Sequence, residues 1–303
     1  MRRILVSILF IIFPNIALSV SKGITGATFL KIDALPRPSG LGGGFSAIAD
    51  DLSSLYYNPA GLARIKLPEG VTSGGKWIGE SRFGIIGYCS PVAENSGFGA
   101  SIFYLKTDKM PLYKDTTSSN PEGEFDATNL CIRFGCGIEI SKDNYFGIVG
   151  GWINQRIEKE KSNSFFIDIG EIYRPWFLNK AQFSVVLQNI GRKIKFINEE
   201  DKFPSTLRVG ICYEIVDSAN VVCDFVKPID YSWKVQCGIE WQVNDILTLR
   251  GGYNSQVFQD LGAGVTLGLG IMLSTFQFDY AYVPYDDLGD THRFSFKTHF
   301  GKR

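Results

Sequence analysis

Alternation of apolar and polar side chains is the dominant pattern of this chain beyond residue 22. From Leu130 to Ile140 every even position is apolar, whereas the odd positions include Arg133, Glu139 and two glycines. Successive side chains of a strand point to opposite faces, so such a segment has one apolar and one hydrophilic face. The same alternation recurs in 207–215, 235–243, 276–282 and 293–297.

The alternating pattern and its interruptions mark about fourteen segments of about 9 to 15 residues. These lengths suit tilted membrane-spanning strands, which need about 9 to 11 residues, better than the 5 to 6 typical of soluble sheets. The predicted strands are 69–78, 82–91, 96–107, 124–140, 144–158, 163–174, 181–190, 205–216, 220–228, 232–244, 246–255, 260–270, 271–284 and 290–300.

Short turns alternate with longer polar connections between these segments. A transmembrane barrel with an even number of strands has short periplasmic turns and longer extracellular loops, whereas a soluble β-sandwich gives no reason for this regularity. Closure also leaves no unpaired strand edge in lipid. We therefore predict an all-β fold, a transmembrane antiparallel β-barrel of about 14 strands. Asp108–Gly123 and Gly191–Pro204 are expected to be extracellular, and the turn Ser141–Asn144 periplasmic.

The two faces of each strand then have different surroundings. Even positions from 130 to 140 are expected to face lipid, and Gly135, on the other face, to tolerate a polar side chain on electrostatic grounds. Opposite charges in a partly wet lumen tend to pair, which predicts a structural network, with conduction of a solute as the alternative. The charges predicted to line the lumen are Arg133, Glu139, Asp168, Arg208, Glu214, Asp224, Glu240, Arg250, Asp279, Arg293 and Lys297.

The N-terminus has the features of a secretory signal peptide. Arg2 and Arg3 precede an apolar run from Ile4 to Ala17, and small residues follow it. The run is shorter than the roughly 20 residues of a transmembrane helix, and Pro14 interrupts it. Residues 1–21 are therefore predicted to be cleaved during export.

Composition and motifs give no sign of catalysis. Acidic and basic residues are equal in number, 31 each, so the charge does not favour a nucleic-acid partner. No nucleophile elbow G-x-S-x-G is present, and His292 and His299 are interpreted as polar residues near a barrel rim. The sequence predicts no enzyme, no cofactor and no metal.

Cysteine spacing also argues against a metal or redox site, since no C-x-x-C pair occurs. An oxidising periplasm permits disulfides, but most of these residues lie at strand positions where a small apolar side chain suffices. All are predicted to be free, buried thiols: Cys89, Cys131, Cys136, Cys212, Cys223 and Cys237.

A glycine-rich stretch, GLGGGFSAIADDLSSLYYNPAGLA at residues 40–63, precedes the first strand. It lacks G-K-[ST] and G-x-G-x-x-G, so a phosphate-binding loop is excluded. Its acidic pair can cap a short helix that the proline ends. We predict a hatch over residues 22–66 that plugs the lumen of a barrel formed by 67–303. Its candidate gate residues are Gly42, Gly43, Gly44, Asp50, Asp51, Asn58, Pro59, Ala60 and Gly61.

The same stretch resembles the N-terminal signature of the PorV/PorQ family, within the FadL-like long-chain fatty acid transporter superfamily. Other stretches that resemble this family are Thr206–Gly210, Leu249–Tyr253, Phe278–Pro284 and Leu288–Arg293. The resemblance implies a fourteen-stranded outer-membrane barrel whose hatch carries an Asn-Pro-Ala motif, here at Asn58, Pro59 and Ala60.

Two functions follow from this resemblance. The first is passive transport of a hydrophobic, fatty-acid-like molecule across the outer membrane through a hatch-gated barrel. The alternative is an interaction role in type IX secretion, with secreted cargo or components of the secretion machinery as partners. Both functions imply outer-membrane lipid as the surroundings of the protein.

Overall fold

A computed structural model describes residues 25–113, 120–196, 199–255 and 264–301, so the predicted signal peptide lies outside the described residues. Fourteen strands form a closed antiparallel barrel, and the first of them pairs with the last. The predicted fold class is confirmed. No helix among the described residues is long and apolar enough to cross a membrane.

Eighteen strands and a few short helices make up the described chain. The strands are β1 Glu69–Lys76, β2 Arg82–Ala93, β3 Ser96–Lys106, β4 Met110–Leu112, β5 Gly123–Phe125, β6 Ala127–Ser141, β7 Asn144–Ile157, β8 Glu160–Tyr173, β9 Ala181–Gly191, β10 Ile194–Phe196, β11 Glu199–Asp201, β12 Thr206–Val216, β13 Ala219–Pro228, β14 Lys234–Gln242, β15 Leu247–Asn254, β16 Val265–Leu273, β17 Phe276–Pro284 and β18 Asp290–His299. The helices are α1 Pro36–Gly40 and α2 Ser54–Tyr57, with 3₁₀ turns at Thr28–Lys31, Pro59–Arg64 and Asp286–Leu288. Strands β4–β5 and β10–β11 form two separate hairpins outside the barrel.

One predicted boundary is wrong. The chain does not turn at 270/271, because β16 continues to Leu273 and the hairpin follows at residues 274–275, where Ser274 has a positive φ of 57°. Gly268 and Gly270 resemble turn signals in the sequence. They lie instead inside β16, where the Arg250 side chain passes within about 3 Å of where their Cβ atoms would be. These glycines therefore serve packing and not a turn.

Strand β6 shows how the two faces differ. As predicted, its even positions face outward, and Phe134 is 61% exposed, whereas Cys131 and Arg133 are buried. The prediction for Gly135 is wrong on steric grounds, since a Cβ there would come within 3.0 Å of Val149.

Replacing Phe134 with lysine is expected to destabilise the barrel in a lipid bilayer by about 2 to 4 kcal/mol, because Phe134 lies midway along β6 on the outward face. Ile140 lies on the same face at the end of the strand, and Ile140→Lys is expected to cost about 0 to 1 kcal/mol. Urea unfolding of both variants in vesicles measures the difference. Equal costs would show that this face is not buried in lipid.

The connections separate into two ends. The turns that join β2 to β3, β6 to β7 and β12 to β13 lie at one end, here called the short-turn end. The predicted connections Asp108–Gly123 and Gly191–Pro204 follow the ends of β3 and β9 at the opposite end, here called the long-loop end. Which end is extracellular stays a prediction.

The cysteine prediction is partly wrong. Cys223 and Cys237 are register partners on the outward faces of β13 and β14, where they form a disulfide. Cys136 is exposed on the outward face of β6. Adjacent strands bring Cys223 and Cys237 side by side, which their spacing in the sequence does not show. The buried free thiols are Cys89, Cys131 and Cys212.

Candidate functional site: the lumen and its hatch

The described part of the hatch, residues 25–66, crosses the inside of the barrel. Helix α1 contacts β15, β16, β17 and β18, whereas the 3₁₀ turn Pro59–Arg64 contacts β2, β3, β6, β7 and β8. Leu41, Phe45 and Leu62 are fully buried. Since these strands lie on opposite sides of a closed barrel, the hatch fills the space between them.

The Asn58 side chain fixes the turn that the Asn-Pro-Ala sequence makes. Its Oδ1 accepts from the Ala60 N–H at 3.1 Å, and its Nδ2 donates to the carbonyls of Ser46 and Glu171 at 2.9 and 3.1 Å. Pro59 follows at the first position of the 3₁₀ turn, where its fixed φ is favourable and no N–H is needed. The amide therefore joins two parts of the hatch to strand β8.

Wall glycines form a seat for this turn. A Cβ at Gly97, Gly137, Gly147 or Gly170 would come within 3.0 Å of hatch atoms between Asn58 and Ala63. Each of these glycines lies on the inward face of a different strand, β3, β6, β7 or β8. The hatch backbone thus rests directly on the wall.

A second glycine seat lies across the lumen. The backbone of residues 40–42 lies against Gly238, Gly252 and Gly268 on β14, β15 and β16, where an added Cβ would come within about 3 Å of it. Gly42 and Gly43 have φ of +67° and +90°, values that favour glycine. The hatch is therefore held against the wall on both sides.

Asp224 attaches the middle of the hatch to β13. Its Oδ2 accepts from the N–H groups of Phe45 and Ser46 at 3.1 and 3.0 Å, and its Oδ1 accepts from the Ser46 hydroxyl at 2.8 Å. Arg208 donates to the same carboxylate at 2.7 Å. The ion pair of Arg208 and Asp224 therefore also binds the hatch backbone.

A larger charge network lies towards the short-turn end and involves a hatch residue that the sequence did not indicate, Arg37. Its guanidinium donates to Glu240 at 2.9 Å and contacts Asp50 and Asp51 at 2.5 and 3.2 Å. Lys297 on β18 donates to Asp51 at 2.5 Å. On the wall, Arg250 bridges Glu240 and Asp279 at 2.7 and 2.8 Å.

Asp51 is ionised within this network. Burial opposes its ionisation, but the charges of Lys297 and Arg37 outweigh burial and hold the pKa of Asp51 well below its usual range. The carboxylate also accepts from the Ser53 N–H at 2.8 Å, just ahead of α2. Asp51 therefore joins the hatch to the wall and precedes the predicted short helix.

The other predicted lumen charges have varied surroundings. Arg133 on β6 pairs with Asp168 on β8 at 2.8 Å. Arg293 donates to the Tyr285 hydroxyl at 3.0 Å. Glu139 accepts from a backbone N–H of the adjacent turn, and Glu214 is half-buried near the short-turn end. The structure thus brings most, but not all, of these residues into paired contacts.

The half of the lumen lined by β1–β3 and β6–β8, here called the apolar half, holds a buried apolar cluster beside the Arg133–Asp168 pair. The prediction of a hydrophilic inner face did not include this cluster. Inward side chains of β1–β3 and β6–β8 form a buried apolar cluster with hatch residues, and Phe29 of the hatch stacks on Phe103 with centroids 5.9 Å apart. The run Ser101–Leu105 could have indicated it, because apolar residues occupy both faces there. The wall members are Val71, Phe83, Ile85, Cys89, Phe103, Leu105, Cys131, Val149, Ile153 and Phe166.

Cavities flank the hatch on both sides. On the long-loop side a cavity of about 50 Å³ lies between residues 30–35, Tyr56–Tyr57 and the wall, enough for a few water molecules. On the short-turn side three recesses of about 560, 420 and 670 Å³ share Asp50 and Lys66. Between them lie α1 and the Arg37 network. The hatch thus separates the cavity on the long-loop side from the recesses on the short-turn side.

Comparison with known proteins gives a family model and a set of similar structures. Residues 14–142 match the model of an uncharacterised protein family, UPF0164. No curated protein matches the chain.

The structures that the barrel resembles include a transporter, a channel and a FadL homologue. The toluene transporter TbuX of Ralstonia pickettii has a TM-score of 0.64 and 12% identity, over 88% of this chain and 98% of that one. The monoaromatic hydrocarbon channel CymD has a TM-score of 0.66 and 12% identity, over 88% and 97%. A FadL homologue of Pseudomonas aeruginosa has a TM-score of 0.55 and 11% identity, over 88% and 98%. At these identities the likeness establishes a shared fold.

Proposed function

We propose that this chain is an outer-membrane barrel through which a small hydrophobic molecule passes without an energy source. The observation that carries the proposal is the apolar half of the lumen, which extends towards the long-loop end and is covered by the hatch. The outward apolar face of the strands and the likeness to hydrocarbon channels support the membrane location. No catalytic step is proposed.

The aromatic side chains favour a ligand that contains a ring. Phe83 and Phe103 stack with centroids 6.4 Å apart, and the buried Phe29 ring also stacks on Phe103, at 5.9 Å. Phe29 therefore occupies a place where a ligand ring would find aromatic and aliphatic contacts. We propose that such a ligand displaces Phe29.

Only the first part of the hatch needs to move for this displacement. Residues 25–35 are held by contacts with the long-loop end, among them Lys31 to Asp230 at 2.7 Å and the Gly26 N–H to the Lys202 carbonyl at 3.1 Å. The glycine seats begin only at residue 40. We propose that residues 25–32 leave the apolar compartment while the seated part stays in place, because the Tyr57 and Ser73 hydroxyls donate to Asp33 and Ala34 and hold the chain there.

The Phe29→Ala variant in detergent is expected to bind toluene about tenfold more tightly than the unmodified chain, because the competing ring is gone. Phe103→Ala is expected to weaken toluene binding, since it removes the wall contact. Phe278→Ala, on the outward face, is the matched control and should change nothing. Titration calorimetry measures the three affinities. Wild-type affinity in both lumen variants would contradict the proposal.

The finer PorV/PorQ assignment rests on sequence resemblance alone, in the N-terminal motif and in the four later stretches. In the alternative, secretion-associated role the rim and loops would bind cargo or machine components, and the apolar compartment would hold no ligand. The same titration separates the two roles. Toluene, or lauric acid in a parallel experiment, should bind in the lumen only if the barrel is a transporter.

A further inference from the structure

A row of cationic side chains follows the outward face of the barrel at the long-loop rim. Strand pairing places Lys76 opposite Arg82 and Arg82 opposite Lys106. Lys106 is paired with the uncharged Thr128 on β6. Thr128 is paired with Arg156 on β7, and Arg156 with Lys161 on β8. Six adjacent strands thus carry five cations at matching positions.

These side chains point away from the lumen. Arg82, Lys106 and Arg156 have side chains that are 68%, 49% and 38% exposed. Lys76 and Lys161 are also exposed, at outward positions of their strands. The row therefore belongs to the face that meets lipid and not to the network in the lumen.

The neighbouring carboxylates compensate only part of this charge. Asp126 lies 3.4 Å from Lys106 and 3.0 Å from Arg156, and Asp108 is 4.0 Å from Arg82. Within the described residues, no carboxylate oxygen lies within 4.0 Å of the ammonium groups of Lys76 and Lys161. Like charges directly opposite on neighbouring strands are destabilising, so an anion beside the row would stabilise it.

The height of the row matches the edge of a bilayer. Arg156 follows Asn144, at the short-turn end of β7, by 12 positions. At about 3.4 Å per residue and a tilt of about 40°, this separation is roughly 30 Å, just beyond an apolar band about 25 Å tall. Four residues below the cations on each strand lies a mainly apolar row: Thr72, Ile86, Ile102, Ile132, Trp152 and Phe165.

The opposite half of the same rim has a different character. Its outward side chains near the strand ends include Trp233, Tyr253, Val265 and Tyr282, with one cation, Lys227, whose ammonium donates to the Tyr231 carbonyl at 2.6 Å. Aromatic residues at the interface are a general feature of membrane barrels, whereas a one-sided cationic row is not. The asymmetry indicates a specific partner on the side of β1–β8.

We propose that this row binds the phosphate groups of anionic lipid headgroups in the leaflet at the long-loop end. The proposal depends on the membrane location proposed above. Lysine and arginine side chains at the headgroup level attract anionic lipid, and arginine can form paired hydrogen bonds to phosphate. A lipid bound here lies with its acyl chains along the apolar row beneath.

Native mass spectrometry of the full chain in detergent tests this site with phosphatidylglycerol, phosphatidylcholine of the same acyl chains, and inorganic phosphate. The unmodified chain is expected to retain phosphatidylglycerol about tenfold more than phosphatidylcholine. The triple variant Lys76→Gln, Arg82→Gln, Lys106→Gln should lose this preference. The charge-retaining triple variant Lys76→Arg, Arg82→Lys, Lys106→Arg should keep it.

A matched variant controls for net charge: Lys109→Gln, Lys142→Gln, Lys193→Gln, all outside the row. A heat-modifiability gel shows that each variant is folded. Loss of the preference in this control, or its survival in the row variant, would overturn the proposal. Inorganic phosphate that binds as tightly as phosphatidylglycerol would also overturn it, by identifying a free-anion site. If the unmodified chain retains neither lipid, the membrane location itself is contradicted. If it retains both lipids equally, only the headgroup site is contradicted.

Discussion

A chain that lacks residues 23–64 is expected to insert as a folded barrel and to pass a steady ionic current that the intact chain does not. The strands begin at Glu69, so neither strand pairing nor the outward apolar face is lost. The deletion removes the segment that lies between α1's partners β15–β18 and the opposite wall of β2, β3 and β6–β8. Single-channel conductance in planar bilayers measures the effect.

A shorter deletion, of residues 25–32, is the matched control. It removes Phe29 but leaves both glycine seats and the Arg37 network in place. Its ionic conductance is expected to stay close to that of the intact chain. If the long deletion is folded in a heat-modifiability gel and yet conducts no better than the intact chain, the hatch does not occlude the lumen. The gate assignment of Asn58, Pro59 and Ala60 would then be withdrawn.

The Asp224→Ala variant is expected to lose about 3 to 5 kcal/mol of stability, the usual consequence of leaving one partner of a buried ion pair. Arg208 would keep only neutral acceptors: the Gly43 carbonyl at 2.8 Å and the side-chain amide oxygens of Gln236 and Gln188 at 2.9 and 3.4 Å. The N–H groups of Phe45 and Ser46 would lose their acceptor as well. Urea unfolding followed by gel mobility measures the loss.

Glu214→Ala provides the matched control, since Glu214 is an inward carboxylate of the neighbouring strand β12 and is half-buried. Its stability is expected to change by less than about 1 kcal/mol. Limited proteolysis adds a local measurement, because Asp224→Ala should expose the hatch near Ser46 earlier than the barrel. A stability of Asp224→Ala within about 1 kcal/mol of the unmodified chain would show that the hatch is held elsewhere.

The strands could be predicted because each has a polar side and an apolar side in period two. That local pattern fixes the outward face of Phe134 without knowledge of its neighbours. The boundary near Gly270 could not be predicted, since a glycine that admits a crossing arginine looks the same in sequence as one in a turn. The apolar half of the lumen was hidden for a related reason, because a strand such as β3 is apolar on both faces.

Pairing among the lumen charges could not be derived from the sequence. Lys297 and Asp51 are 246 positions apart and meet only because the barrel closes around the hatch. Arg37 could not be recognised from the alternation of apolar and polar residues, since it lies between two prolines in the five-residue helix α1. The disulfide of Cys223 and Cys237 likewise requires the register of β13 and β14. Such contacts depend on topology, which a local pattern does not encode.

The glycine seats have a consequence for the order of assembly. The hatch precedes β1 in the chain, and its backbone touches glycines on β3, β6, β7 and β8 as well as on β14, β15 and β16. A segment with so little clearance cannot be threaded into a finished cylinder. The last pairing, between β1 and β18, must therefore form around a hatch that is already in place. In the intact chain, membrane insertion and internal filling of the barrel therefore become a single event, in which the wall closes around the hatch.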